Sequence, residues 1–322
     1  MKVALLGPGI ISIPPPGWGA VEILIWDYYN ALKYQGIQVN IINKIRKNSY
    51  EQSNLNSVYC RELIDEINNG KYDFVHIHYD CLFHIIPFLS CKTIGFTSHY
   101  PYINDKNYHS QDGFTNIFDF MVSNKTSINF VLAKKDYQYL LEEGAIENKL
   151  YLLENGVSTE NFEFSNNPMN KSRTIYLGKI SDRKGQHKYC KLENIDIVGP
   201  GGNILLNWKG EWTREDVYSK LSQYGNLLLL SKGEADPLVV KEALMCGLGV
   251  VVNESSAKNL SQEKFITIIN DNNMDDLLMV QEAIEYNRKI SITMREEIRK
   301  YAESKFGWNH LIKKYLKIIN NN

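Results

Sequence analysis

Short apolar runs recur every twenty to forty residues along the chain, separated by segments whose apolar positions fall at helical spacing. In the first half the runs are KVALL, QVNII, FVHIH, TIGFT, NFVLA and KLYLL, and in the second RTIYLG, IDIVG, NLLLL, GVVVN and FITII. Uninterrupted Val, Ile and Leu suit strands covered on both faces, so the pattern predicts repeated βα units with parallel sheets. The first helix is well marked: Val21, Leu24, Ile25, Tyr28 and Leu32 share one face, and Gly36 ends it after a long loop from Gly7 to Gly19. A polar helix is expected from Thr213 to Tyr224, and two longer ones over Met274–Asn287 and Ser291–Lys305. In the final segment, WNHLIKKYLKIIN, Leu311, Tyr315 and Ile318 lie on one face, which predicts a helix that docks on the rest of the chain. The polar stretch SNNPMNKS, between Phe164 and Ser172, marks a domain boundary near residue 168.

The most informative local pattern is GEADPLVVKEALMCG. Asp236 is placed as an N-cap, Pro237 fits the first helical position, and Gly247 supplies the left-handed stop, so a helix is expected over 237–246. Glu234 then precedes the helix and Glu242 lies inside it. The amides of Leu238 and Val239 fall between them at the positive end of the helix dipole, where a phosphate is favoured. Two solvated glutamates on a surface helix are the ordinary reading of such spacing. The buried strands NLLLL and GVVVN on either side instead make this the crossover of a parallel βαβ unit, with Ser231 to Glu234 at the carboxyl end of a strand, where ligands bind in such sheets.

Composition narrows the classes. With 322 residues and 43% hydrophobic content the chain can form two cores. A net charge of −1 offers no general attraction to nucleic acid or to an anionic membrane. Up to Asn166 there are about 13 Lys and Arg against about 18 Asp and Glu, so an anionic ligand would prefer the second half. Five scattered cysteines without a CxxC pair read as reduced structural thiols. The N-terminal run MKVALLG is too short for a signal peptide, and no apolar stretch reaches the length of a membrane span, so a cytoplasmic protein is expected.

Three further constellations could carry chemistry. The loop GPGIISIPPPGWGAVE brings Gly7, Gly9, Gly17 and Gly19 ahead of a helix, where backbone amides can approach a phosphate. It is not the dinucleotide fingerprint, because Ser12 stands at the third glycine and the second strand ends in Asn43 and Lys44 instead of an acid; NAD binding is disfavoured. In YLGKISDRKGQH, Lys179, Arg183 and Lys184 crowd a strand end, where cations suit a departing diphosphate. His99 follows the run TIGFT, and His76 and His78 alternate on an earlier strand next to Asp80. A histidine at a strand end can bond a substrate hydroxyl or move a proton, although a lone one is more often structural. No third residue has metal-ligand spacing to the pair, so no metal site is expected.

Together GWGAVE, TSHY, LLENGVSTENF, LGKISDRKG and the E-x7-E segment resemble the retaining GT-B glycosyltransferases of the family 4 type, over most of the chain. The resemblance implies two Rossmann-like domains facing across a cleft: an acceptor-side domain over 1–168 joined by the C-terminal helix 306–322, and a nucleotide-sugar domain over 169–305. It implies that Glu234 contacts donor-sugar hydroxyls and Glu242 the ribose, that the amides of Leu238 and Val239 hold the phosphates, and that Lys179 and Lys184 neutralise them. Gly17 and Gly19 match the glycine loop beside the donor phosphate, and His99 a histidine beside the transferred sugar. Base contacts are implied near Gly210 and Trp212. The chain departs from the family at Pro237, where a glycine is common, and at Lys179, where Arg is usual. It also has too few residues after Gly185 for the usual full helix.

The activity so implied is metal-independent and cofactor-free hexosyl transfer from a nucleoside diphosphate sugar, UDP or GDP foremost, to a sugar, glycan or glycolipid hydroxyl. Any membrane association would come through the acceptor alone. The rival readings are a non-catalytic nucleotide-sugar or glycan-binding module of the same fold, and a GT-B epimerase or phosphorylase.

Overall fold

Every apolar run named above forms a strand, and every pairing between strands is parallel. A computed structural model describes residues 1–322, which divide into two compact units.

The first unit comprises 1–15, 19–154 and 309–322. Its elements are β1 (Lys2–Leu6), α1 (Ala20–Tyr34), β2 (Gln38–Ile42), α2 (Tyr50–Ser53), α3 (Val58–Gly70), β3 (Phe74–Ile77), β4 (Thr93–Thr97), α4 (Lys106–Gln111), α5 (Thr115–Ser123), β5 (Ile128–Val131), α6 (Lys134–Glu142) and β6 (Leu150–Leu152). The strands form one sheet in the order β2-β1-β3-β4-β5-β6.

The second unit comprises 16–18 and 155–308. It contains β7 (Asn170–Leu177), α7 (Gln186–Tyr189), β8 (Ile195–Val198), α8 (Arg214–Lys220), β9 (Tyr224–Leu229), α9 (Leu238–Met245), β10 (Gly249–Asn253), β11 (Ile266–Ile269), α10 (Leu277–Thr293) and α11 (Arg295–Phe306), with the sheet order β11-β10-β9-β7-β8. The last helix, α12 (Trp308–Asn320), runs back into the first unit.

The docking face of α12 is the one its spacing predicts: Leu311, Tyr315 and Ile318 are all buried. Tyr315 packs against Phe74, Phe130 and Tyr28, and its hydroxyl lies 2.9 Å from His76 Nδ1. A buried tyrosine removes a large apolar area from water only if its hydroxyl finds a partner, and His76 supplies it.

Several element boundaries differ from the sequence reading, each for a local reason. The polar helix is α-helical only over Arg214–Lys220, then tightens to a 3-10 turn at Leu221–Gln223, because β9 begins at Tyr224. The long helix expected to end at Asn287 continues to Thr293 and breaks at Met294. Asn287 and Ser291 look like a stop but face inward. Asn287 Nδ2 donates to the Val250 and Phe265 carbonyls, and Ser291 Oγ to the Gly225 carbonyl, so the buried polar groups are satisfied. After Gly185 only the four-residue α7 forms, as the short spacing there requires.

The polar stretch at 164–172 lies within the second unit, and the units divide earlier, between Glu154 and Asn155. Arg295, itself buried, donates to the Ser165 carbonyl at 2.5 Å and so ties this stretch down. No helix is long and apolar enough to cross a membrane.

Candidate functional site

In the second unit the carboxyl ends of β7 and β9 bring the KG turn and the Glu234 loop together. Lys184 Nζ stands 3.5 Å from Glu234 Oε1, and both side chains are largely buried. The turn is braced from beneath: the Tyr176 hydroxyl lies 2.7 Å from the Lys184 carbonyl and 2.9 Å from that of Leu230, while Gln186 Nε2 donates to the Lys179 carbonyl at 3.1 Å. Gly185 takes a left-handed φ of 62° that lets the chain reverse there. Burial pushes the Tyr176 phenol well above its ordinary value, so it acts here as a neutral hydrogen-bonding post. Behind Glu234, Ser231 and Asn253 exchange two hydrogen bonds, at 3.0 and 2.8 Å, which lock the ends of β9 and β10 to each other. Glu234 Oε1 is buried and accepts no hydrogen bond, so a carboxylate oxygen with spare acceptor capacity sits beside an ammonium.

The helix after Glu234 starts one residue later than expected. Pro237, with ψ 114°, is the N-cap, and α9 runs from Leu238 to Met245 before Gly247 turns left-handed at φ 78°. Asp236 is not the cap. Its carboxylate accepts from Lys241 Nζ at 2.5 Å and from the Asn155 amide at 2.7 Å, and Asn155 Nδ2 returns a bond to the Asp236 carbonyl. The reason lies one turn along: Lys241 is almost fully buried, and an ammonium removed from water demands a carboxylate. With the side-chain cap diverted, the amides of Leu238 and Val239 remain at the open positive end of the helix.

Glu242 points to a partner that sequence reasoning missed. Arg214 Nη2 donates to Glu242 Oε1 at 2.6 Å, with both side chains buried. Nothing in a short polar helix signals that its first residue turns inward. The Thr213–Asp216 capping box fixes the start of α8.

Lys179 takes a different position from Lys184. It is exposed, and its ammonium lies over the Trp18 ring at 5.2 Å. The three residues Pro16–Trp18 pack with the second unit, where Gly17 allows a close approach: a Cβ there would meet the Trp212 carbonyl oxygen at 2.7 Å. Gly210 is left-handed, and its carbonyl accepts from the Gly199 amide.

Gly19 and His99 belong to the first unit. Gly19 is the N-cap of α1, with a φ of 121° that favours glycine. Glu22, in the first turn of α1, is buried, and that burial raises its carboxyl above the ordinary range. His99 follows β4; its Nε2 is buried and accepts or donates no hydrogen bond, and desolvation pulls its pKa down to about 4.

The rings of His76 and His78 lie 3.9 Å apart between centroids, tilted by 40° to each other. His76 is committed on both sides, with Nδ1 2.9 Å from the Tyr315 hydroxyl and Nε2 2.7 Å from Thr97 Oγ1. It therefore serves the packing of α12. Burial lowers both imidazoles well below the usual range, aided by the neighbouring histidines.

Three histidines held neutral make stability depend on pH. The unfolded chain protonates them near 6.5 and the folded chain does so only at lower pH, so this stability is present above pH 6.5 and is lost as pH falls below it. Each should cost about 1 kcal/mol over the first pH unit below 6.5. Urea midpoints at pH 7.0 and 5.5 measure the loss, and His78→Leu should reduce the difference by roughly a third. An unchanged midpoint would show that the imidazoles take up protons in place.

The two parallel sheets, with the chain returning to the first unit at its end, define the GT-B fold of glycosyltransferases. HepE of Anabaena, in a structure with UDP and glucose, superposes with a TM-score of 0.73 at 13% identity, covering 100% of both chains. Sucrose-phosphate synthase of Thermosynechococcus elongatus gives 0.73 at 14% identity, covering 99% of this chain and 98% of that one. WaaG, a glycosyltransferase involved in lipopolysaccharide biosynthesis, gives 0.71 at 13% identity, covering 99% and 100%. At identities this low the likeness shows the fold alone. No protein-family model matches the chain, and no curated protein matches it by sequence.

Proposed function

We propose that the chain is a retaining, metal-independent glycosyltransferase that moves a sugar from a nucleoside diphosphate donor to an acceptor hydroxyl. The observation that carries this reading is the Lys184–Glu234 pair, 3.5 Å apart at the strand ends, next to the open N-terminus of α9. The pair offers a cation for a diphosphate and an acceptor for sugar hydroxyls within one donor's reach. The likeness in fold to HepE, with UDP and glucose bound, and to the glycosyltransferase WaaG adds weight to it.

In this reading the second unit binds the donor. Glu234 accepts from the sugar hydroxyls, Glu242 from the ribose, and the amides of Leu238 and Val239 hold the phosphates. The bond between the anomeric carbon and the phosphate oxygen breaks while the acceptor oxygen bonds on the same face. The acceptor's proton passes to the departing diphosphate. Lys184, assisted by Lys179 and the dipole of α9, stabilises the charge that grows on that leaving group. Gly17, which packs with the second unit, and Gly19 of the first are the glycines assigned to the phosphates, and the first unit provides the acceptor side, with His99, neutral at physiological pH, bonding a sugar hydroxyl.

A thermal-shift panel of UDP, GDP, ADP and dTDP tests the donor half. The matching nucleotide at a hundred times its Kd should add about 2.7 kcal/mol of stability. Transfer from the corresponding sugar nucleotide, with NMR of the new anomeric centre, tests the rest. No shift with any of the four, or an inverted product, would count against the proposal.

A further inference from the structure

Arg214 and Glu242 form an ion pair that folding alone does not require. The guanidinium lies against two aromatic rings, 4.5 Å from the Tyr218 centroid and 5.3 Å from that of Phe162, and its backbone amide donates to the Pro16 carbonyl at 3.1 Å. The capping box at Thr213 sets where α8 begins and therefore where this side chain emerges. Desolvating a carboxylate and a guanidinium together is seldom better for stability than packing apolar residues in their place. What the arrangement does deliver is direction: a planar fork, fixed by two rings, holds one oxygen of Glu242 in a single place.

An ionised carboxylate has two oxygens and about four acceptor positions, so pairing through Oε1 leaves capacity at Oε2. Two vicinal hydroxyls match a carboxylate held in this manner.

We propose that Arg214 is a positioning residue for a ribose subsite: it fixes the Glu242 carboxylate so that the site accepts the 2′ and 3′ hydroxyls of a ribonucleoside diphosphate and discriminates against deoxy forms. This rests on the donor reading above, and it adds both the residue that shapes the subsite and the selectivity that follows. Neither the family resemblance nor the sequence pattern assigns a role to Arg214.

The test uses the full chain and isothermal titration with UDP and 2′,3′-dideoxy-UDP, replaced by the guanosine pair if GDP binds more tightly. A hydrogen bond to a charged group contributes enough that the wild type should prefer the ribose form by about 10- to 100-fold. Glu242→Gln should lose most of that preference. Arg214→Met should bring it to about threefold or less, with Arg214→Lys in between because the charge stays and the fork is lost. Melting temperatures, measured in parallel, confirm that each variant is folded.

A merely structural Arg214 would lower the melting temperature of Arg214→Met and leave the ribose-to-dideoxy ratio as in the wild type. That result overturns the inference while the transferase reading stands. A wild type that binds both forms equally also overturns it. If the wild type binds no nucleoside diphosphate, the donor reading itself fails and this inference falls with it.

Discussion

Lys184→Ala should lower kcat for sugar transfer by about 10²–10³-fold, the usual loss when one stabiliser of developing charge is removed from a water-poor site. The ammonium lies 3.5 Å from Glu234 Oε1 in a position with little solvent access, so water cannot replace it well. Because the leaving diphosphate gains charge as the bond to the sugar breaks, Lys184 should matter more in the transition state than in the bound donor. The loss therefore appears in kcat, with KM for the donor changed far less.

Glu234→Gln should show a different signature. It keeps the shape but weakens the bonds to the sugar hydroxyls, so KM for the nucleotide sugar should rise while affinity for the free nucleoside diphosphate holds. Initial rates across donor concentration, with binding of the free nucleotide measured alongside, separate the two. Normal turnover by the alanine variant would remove Lys184 from the mechanism.

The sheets were legible because buried parallel strands write themselves as unbroken apolar runs, and all eleven such runs pair as strands. The docking face of α12 was legible for a similar reason: three residues at helical spacing had to be covered, and Tyr315 found His76. The Glu234 and Lys184 segments could be placed near each other because strand carboxyl ends in one parallel sheet share an edge.

What stayed hidden were side chains whose partners are decided by burial or lie far away in sequence. Asp236 has the composition of an N-cap, yet Lys241 takes it, because local propensity is worth about 1 kcal/mol and an unpaired buried ammonium costs several. Asn287 resembles a helix stop only until the Val250 and Phe265 carbonyls are known to need donors. The same applies to Arg214, which lies 28 residues before the glutamate it holds. A pattern of periods and caps carries no information about such pairs.

Asp236→Ala should destabilise the second unit by about 3–5 kcal/mol, the cost of leaving one partner of a buried pair alone. Lys241 Nζ would keep the Asn155 carbonyl, at 2.7 Å, and the face of Phe306, at 4.8 Å from its centroid, but would lose the carboxylate it bonds at 2.5 Å. For a unit of this size the melting temperature should fall by about 2–4 °C for each kcal/mol. The damage should extend beyond a charge, since the Asn155 amide also loses its acceptor and the loop carrying Glu234 loses its tie to the point where the chain enters the second unit. Asp236→Ala combined with Lys241→Met should recover most of the stability, because the double variant buries neither charge. Hydrogen exchange at β9 and β10 assigns the change to this sheet. If the double variant melts as low as the single one, the pair is holding the Glu234 loop in shape by its hydrogen bonds to Asn155, and the transfer rate of the double variant should then be as low as its stability.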